Sequence, residues 1–245
     1  MSRRIRIEVA YDGTGYHGWQ VQPGLPTIQG TLEQIASEIE GKPVHVAGSG
    51  RTDAGVHALA QVAAFSIDNP IPVVNLQKAM NRLLPRDIRV NRAQEAPLDF
   101  HPRFDTPAKT YEYRIFRGEV CSPFERRCVY HYPYPLRIEG MIQAAPLLEG
   151  EHDFTAFASS DDRDGSKVRT IWSSQARLEG ERFYYRVRGS GFLKHMVRNI
   201  VGVLLEVGKG NLTPADIERR LKPACGIAAG PSAPAQGLFL MGVEY

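Results

Sequence analysis

Cysteine is scarce in this chain, three residues among 245, and none of them stands in a Cys-x-x-Cys pair. That argues against a disulfide framework and a structural zinc site. Cys121, Cys128 and Cys225 also lack a neighbouring histidine, so they read as reduced thiols rather than nucleophiles. Long apolar runs are missing too. The Ile200–Val207 stretch is far short of the ~20 residues that cross a bilayer and reads as a buried helix. The start, Met1-Ser2-Arg3-Arg4-Ile5-Arg6, passes into alternation rather than an apolar segment, which is not the pattern of a signal peptide. A cytoplasmic location without membrane contact is the expectation. Neither sign of charge dominates, with 30 Lys and Arg against 27 Asp and Glu, a net +3. This balance permits an anionic partner without requiring one, because clustering decides. The seven histidines show no ligand spacing. Asp161, Asp162 and Asp164 lack the remaining ligands of a calcium loop and read as a solvated loop. No metal is expected.

What is present is an ordinary folding composition, 42% hydrophobic and 23% charged. Ile5, Ile7, Val9 and Tyr11 alternate with Arg4, Arg6 and Glu8, the pattern of a half-buried strand. The Asp12–Thr27 segment, rich in glycine, reads as a loop. Ile28, Leu32, Ile35 and Ile39 recur at helical spacing before a stop at Gly41. Pro43–Ala47 and Gln61–Ile67 read as strands, and Leu76–Leu83 as a helix ended by Pro85. The proline-rich stretch 95–108 reads as a connection. A strand follows at Thr110–Arg117, then a helix from Ile138 to Leu148. A hairpin is expected over 168–178 and 182–188, and a long helix over Phe192–Val207. A short helix opens at Thr213-Pro214, and Leu238–Tyr245 closes as a strand. The order predicts an α+β fold of mostly antiparallel sheet in two related halves, residues 1–105 and 106–245.

The most informative segment is Gly48-Ser49-Gly50-Arg51-Thr52-Asp53-Ala54-Gly55-Val56-His57-Ala58. A dinucleotide fingerprint would need a third glycine where Asp53 stands, and a P-loop would need lysine where Val56 stands. What remains is a glycine-framed loop presenting an arginine and an aspartate. By itself, such an aspartate reads as a turn residue bonding nearby backbone.

Within that segment, Gly50–Ala58 resembles the signature of the TruA-type tRNA pseudouridine synthases. Ala10–Gln20, Lys109–Ile115, Gly150–Phe157 and Gly191–Gly202 resemble further blocks of that family in the same order, spanning the whole chain. The resemblance implies the pseudouridine synthase fold, with both halves flanking one cleft. It implies an enzyme that isomerises uridine at positions 38, 39 and 40 in the anticodon arm of tRNA, works without cofactor or metal, and is a homodimer. Asp53 matches the catalytic nucleophile. Arg198 matches the arginine paired with it, a guanidinium that would keep the carboxylate ionised. Tyr111 matches the tyrosine that stacks on the target base. Arg51 matches a residue that fills the gap left by the flipped nucleotide.

As pattern alone, Tyr111 is a core aromatic alternating with Tyr113 and Ile115, and Arg198 a solvated helix residue with apolar neighbours. Arg182, Arg186 and Arg188 share a strand face with Tyr184. Lys194 and Arg198 lie a helical turn apart, as do Lys78 and Arg82, with Arg86, Arg89 and Arg92 beyond. Clusters interleaved with aromatics suit phosphate tracking along a folded RNA, and His57 and His195 read as structural or RNA-facing. A non-catalytic RNA-binding module would use the same basic faces without needing the aspartate. A glycoside or nucleoside hydrolase would want a second carboxylate, which the loop does not offer.

Overall fold

A computed structural model describes residues 2–161, 165–223 and 225–245. Contacts divide the chain into two units, Met1–Pro107 with Phe239–Tyr245, and Ala108–Leu238.

In the first unit, β1 (Arg3–Tyr11) is followed by α1 (Ile28–Glu40), β2 (Ala47–Gly48), β3 (His57–Ile67), α2 (Val73–Leu83) and β4 (Ile88–Ala96). The alternation of β1 places Ile5, Ile7 and Val9 at zero exposure between β3 and β4, both antiparallel to it. Helix α1 begins where the Thr27 hydroxyl accepts the Gly30 N–H, and ends at Gly41. Its buried stripe is Ile28, Leu32 and Ile35; that of α2 is Leu76 and Met80. The register of β1 against β3 slips between Val9 and Tyr11.

The expected strand at Pro43–Ala47 shrinks to Ala47–Gly48. The Val44 N–H goes to the Ser37 hydroxyl at 2.8 Å and the Val46 N–H to Glu33 Oε1 at 3.0 Å. The segment therefore satisfies its donors on α1 side chains rather than on a ladder. Strand β4 was not expected. Only Ile88 and Val90 are buried in it, and its polar remainder pairs along β1 through backbone groups.

In the second unit, β5 (Lys109–Phe116), β6 (Tyr130–His131), α3 (Ile138–Ala144), β7 (Gly150–Asp153), β8 (Val168–Glu179), β9 (Arg182–Gly189), α4 (Met196–Lys209) and α5 (Pro214–Arg220) follow in order. The sheet runs β5-β9-β8-β7, antiparallel throughout, with the short β6 parallel to β5. Tyr113, Phe183 and Tyr185 are fully buried. The Tyr185 and Ser174 hydroxyls meet at 2.9 Å, and Ser174 donates to the Ala145 carbonyl at 2.6 Å, so the buried phenol is satisfied. Pro146 converts the end of the expected third helix into a 3-10 turn over Ala145–Leu148.

Helix α4 starts at Met196, four residues later than the apolar pattern suggested. His195 takes a left-handed backbone, φ 62°, which an α-helix does not accommodate. Strand β10 (Leu238–Val243) then joins the first unit, parallel to β3 with Phe239 opposite His57. The last strand thus sits with the opening half of the chain.

Candidate active site

Asp53 lies half-buried in the loop joining β2 to β3, two residues after the exposed Arg51. The glycine-rich segment after β1 grips this loop. Trp19 donates its backbone N–H to the Thr52 carbonyl at 3.0 Å, Gly55 donates to the Tyr16 carbonyl at 3.3 Å, and Gly13 donates to His57 Nδ1 at 3.1 Å. A backbone N–H can only donate, so His57 Nδ1 is an acceptor, and the 3.2 Å approach of Asp12 Oδ1 is proximity rather than an ion pair. The Trp19 indole, 3% exposed, covers Gly48 so closely that a Cβ there would stand 2.5 Å from its ring. The first donors of α1 complete the grip: Ile28 and Gln29 give their N–H groups to the carbonyls of Gly18 and Trp19 at 3.2 and 2.9 Å. Inside the loop Val56 N–H returns to the Asp53 carbonyl at 3.1 Å. The His57 ring stacks on Phe239, centroids 4.7 Å apart, so β10 backs the loop.

Tyr111 and Arg198 belong to the second unit. Tyr111, on β5 and 8% exposed, meets the edge of Phe192 with centroids 5.0 Å apart and planes at 77°. The non-helical course of residues 192–195 thus gives Phe192 a packing role that its helical spacing concealed. Arg198, in the first turns of α4, donates Nε to the Ala233 carbonyl at 2.7 Å, while Ala233 N–H returns to the Arg198 carbonyl at 3.0 Å. The bare face of Gly202 admits the Pro231 carbonyl, and Tyr113 donates its hydroxyl to the Pro234 carbonyl at 2.6 Å. The segment 231–234 is therefore pinned across α4 and fixes the base of the Arg198 guanidinium. Its partner carbonyls come from a stretch with no regular pattern, and sequence reading gave no hint of them.

The basic clusters are less uniform than their spacing suggested. Arg182 is held by Glu125 at 2.7 Å, and Arg186 shares the buried Glu112 with Arg114 and Arg177. Lys194 precedes α4 and pairs with Asp161 at 2.5 Å, so it is not one helical turn from Arg198. That lysine, with the Ser159 hydroxyl, lowers the Asp161 carboxyl to about 2. Asp162 and Asp164 lie outside the described residues. Lys78, Arg82, Arg86 and Arg92 are exposed. Cys121, Cys128 and Cys225 form no disulfide. Among the described residues, no helix is long and apolar enough to cross a membrane.

The family described as tRNA pseudouridine synthase matches residues 7–105 and 144–245. The tRNA pseudouridine synthase A of Solibacter usitatus (strain Ellin6076) is 65% identical over 246 residues, 99% of this chain and 100% of that one. Its namesake in Geobacillus kaustophilus (strain HTA426) is 45% identical, covering 100% and 95%. That of Caldicellulosiruptor bescii is 40% identical, covering 99% and 100%. The family match leaves out the stretch that holds Tyr111, but these relatives are similar from end to end and include both units.

Proposed function

Because the chain belongs to the tRNA pseudouridine synthase family, we propose that it converts uridine to pseudouridine at positions 38, 39 and 40 of the tRNA anticodon arm, with Asp53 as its catalytic carboxylate. The observation that carries the assignment of Asp53 is the grip on its loop. A turn aspartate of no further consequence needs no second glycine-rich segment, itself anchored on a helix N-terminus and carrying a buried tryptophan, to hold its loop.

The reaction breaks the bond from ribose C1′ to N1, turns the base, and joins C1′ to C5. A carboxylate acting as nucleophile splits this into easier steps. The atoms and electrons of the nucleotide are conserved, so the chemistry calls for no redox or group-carrying cofactor. A base inside a helix is out of reach and must be flipped. In this reading Tyr111 offers its ring to the flipped base, the exposed Arg51 occupies the space the nucleotide leaves, and Arg198 is a cation engaging the reacting nucleotide. The enzyme acts in the cytoplasm as a homodimer, which widens the surface available to a tRNA body.

Incubation with unmodified tRNA, followed by mapping of pseudouridine, tests the reading. Pseudouridine at positions 38 to 40 is the expected product. Tight binding without isomerisation would instead mark a non-catalytic RNA-binding module, and modification elsewhere would overturn the site assignment.

A further inference from the structure

We propose that Tyr11 is a positioning residue for Asp53, acting through the buried hydrogen bonds on the inner side of its loop, to which Gln61 contributes; this rests on the reading of Asp53 as the catalytic carboxylate. Ser49 and Gln61 have zero exposure, Tyr11 4% and Thr52 7%. The Ser49 hydroxyl donates to Gln61 Oε1 at 2.6 Å, and Gln61 Nε2 donates to the Gly50 carbonyl at 3.0 Å. On the same side of the loop the Tyr11 hydroxyl meets Thr52 Oγ1 at 2.9 Å. Ser49, Gly50 and Thr52 are thereby tied from below, Arg51 is left exposed, and Asp53 is the next residue. Tyr11 and Gln61 reach the loop from adjacent strands across the slip between β1 and β3, a device that re-aims side chains.

Stability alone does not call for this arrangement. Polar side chains cost free energy to bury unless every one is bonded, and apolar side chains could fill the same volume. What these contacts add is uniqueness, since few alternative placements of residues 49–52 keep them together. Burial raises the Tyr11 phenol to about 12, so its proton stays in place at neutral pH. Asp53 inherits the precision of this anchor through the Thr52 peptide, whose carbonyl is held separately by Trp19. A carboxylate displaced by about 1 Å can lose on the order of a hundredfold in rate.

The test uses Tyr11→Phe, which keeps the ring and removes the hydroxyl, with Thr52→Val, Thr52→Ser, the Tyr11→Phe/Thr52→Val double variant and Asp53→Asn. Single-turnover rate at saturating tRNA and tRNA affinity are measured for each. Tyr11→Phe and Thr52→Val should each lower the rate about tenfold or more, with affinity within about twofold. The double variant should be little worse than either single one, because both break the same Tyr11–Thr52 hydrogen bond. Thr52→Ser should retain more rate than Thr52→Val. A Tyr11→Phe or Thr52→Val variant that is less heat-stable but turns over at the wild-type rate shows a purely structural contact and overturns the proposal. Full activity in Asp53→Asn instead removes the catalytic reading itself, so the two failures are distinct.

Discussion

Gly18 lies against Thr52 with a left-handed backbone, φ +87°, and a Cβ placed on it would stand 2.5 Å from the Thr52 carbonyl oxygen. That oxygen also accepts the Trp19 N–H at 3.0 Å. Gly18→Ala therefore combines backbone strain, about 1–2 kcal/mol, with a collision against the peptide before Asp53. Gly24 has a similar φ, +72°, and nothing near its missing Cβ. Melting curves and single-turnover rates should separate them: both alanine variants lose stability, and only Gly18→Ala loses rate. Equal rates would show that the loop tolerates displacement.

Asp53→Asn keeps the size and much of the hydrogen bonding of the side chain but not its charge. Catalysis should fall by several orders of magnitude, the usual cost of removing a nucleophile, while tRNA affinity stays close to wild type. Activity within about tenfold of wild type would remove Asp53 from the mechanism.

Arg198 spends Nε on the Ala233 carbonyl at 2.7 Å, which leaves the two terminal nitrogens in a fixed orientation. Lysine keeps the charge but cannot hold that carbonyl and present a planar pair of donors together. The expected order of single-turnover rates at saturating tRNA is wild type, then Arg198→Lys, then Arg198→Met, with a sharp drop at the last. A rate unchanged in Arg198→Met, with only affinity lost, would assign it to phosphate contact.

Binding of tRNA should weaken steeply with salt through counterion release. The exposed Lys78 and Arg82 should matter more here than Arg182, which Glu125 already holds at 2.7 Å. Replacing Lys78 and Arg82 with Gln should shrink the slope of log affinity against log salt, each contributing up to about 0.9. Arg182→Gln should change it less, and the reverse order would relocate the RNA contact to β9.

Asp216 caps α5 by accepting the Thr213 hydroxyl at 2.6 Å and the Thr213 N–H at 2.7 Å. These bonds, with Arg219 beside it, lower its carboxyl to about 2. The folded value lies below the unfolded one, about 3.9, so the contribution is fully present above pH ~4 and disappears as pH falls towards ~2. Asp216→Asn should flatten the acid dependence of stability in that window. An unaltered acid titration of unfolding would show that the cap adds nothing.

Much of the fold was legible locally. Alternation marked β1, and the Ile28–Leu32–Ile35 spacing and Gly41 marked α1, because burial of one face imposes period 2 on a strand and 3.6 on a helix. Strand β4 was illegible because its ladder is made of backbone groups, which carry no sequence signature beyond Ile88 and Val90. The true start of α4 was hidden because Phe192 keeps a helical spacing while serving Tyr111 as a packing partner. The motif containing Asp53 was conspicuous in the linear chain, since glycines framing an arginine and an aspartate are a local pattern. Which residues hold that loop was not local at all. Gly13, Gly18 and Trp19 meet it only after β1 and β3 have paired, and Ala233 reaches Arg198 only after the chain has crossed back over Gly202. Residue types and short spacings were thus determined by the sequence itself. The partners of each functional backbone were decided by tertiary packing, because a hydrogen bond between distant segments depends on where the strands bring them and on nothing in either segment alone.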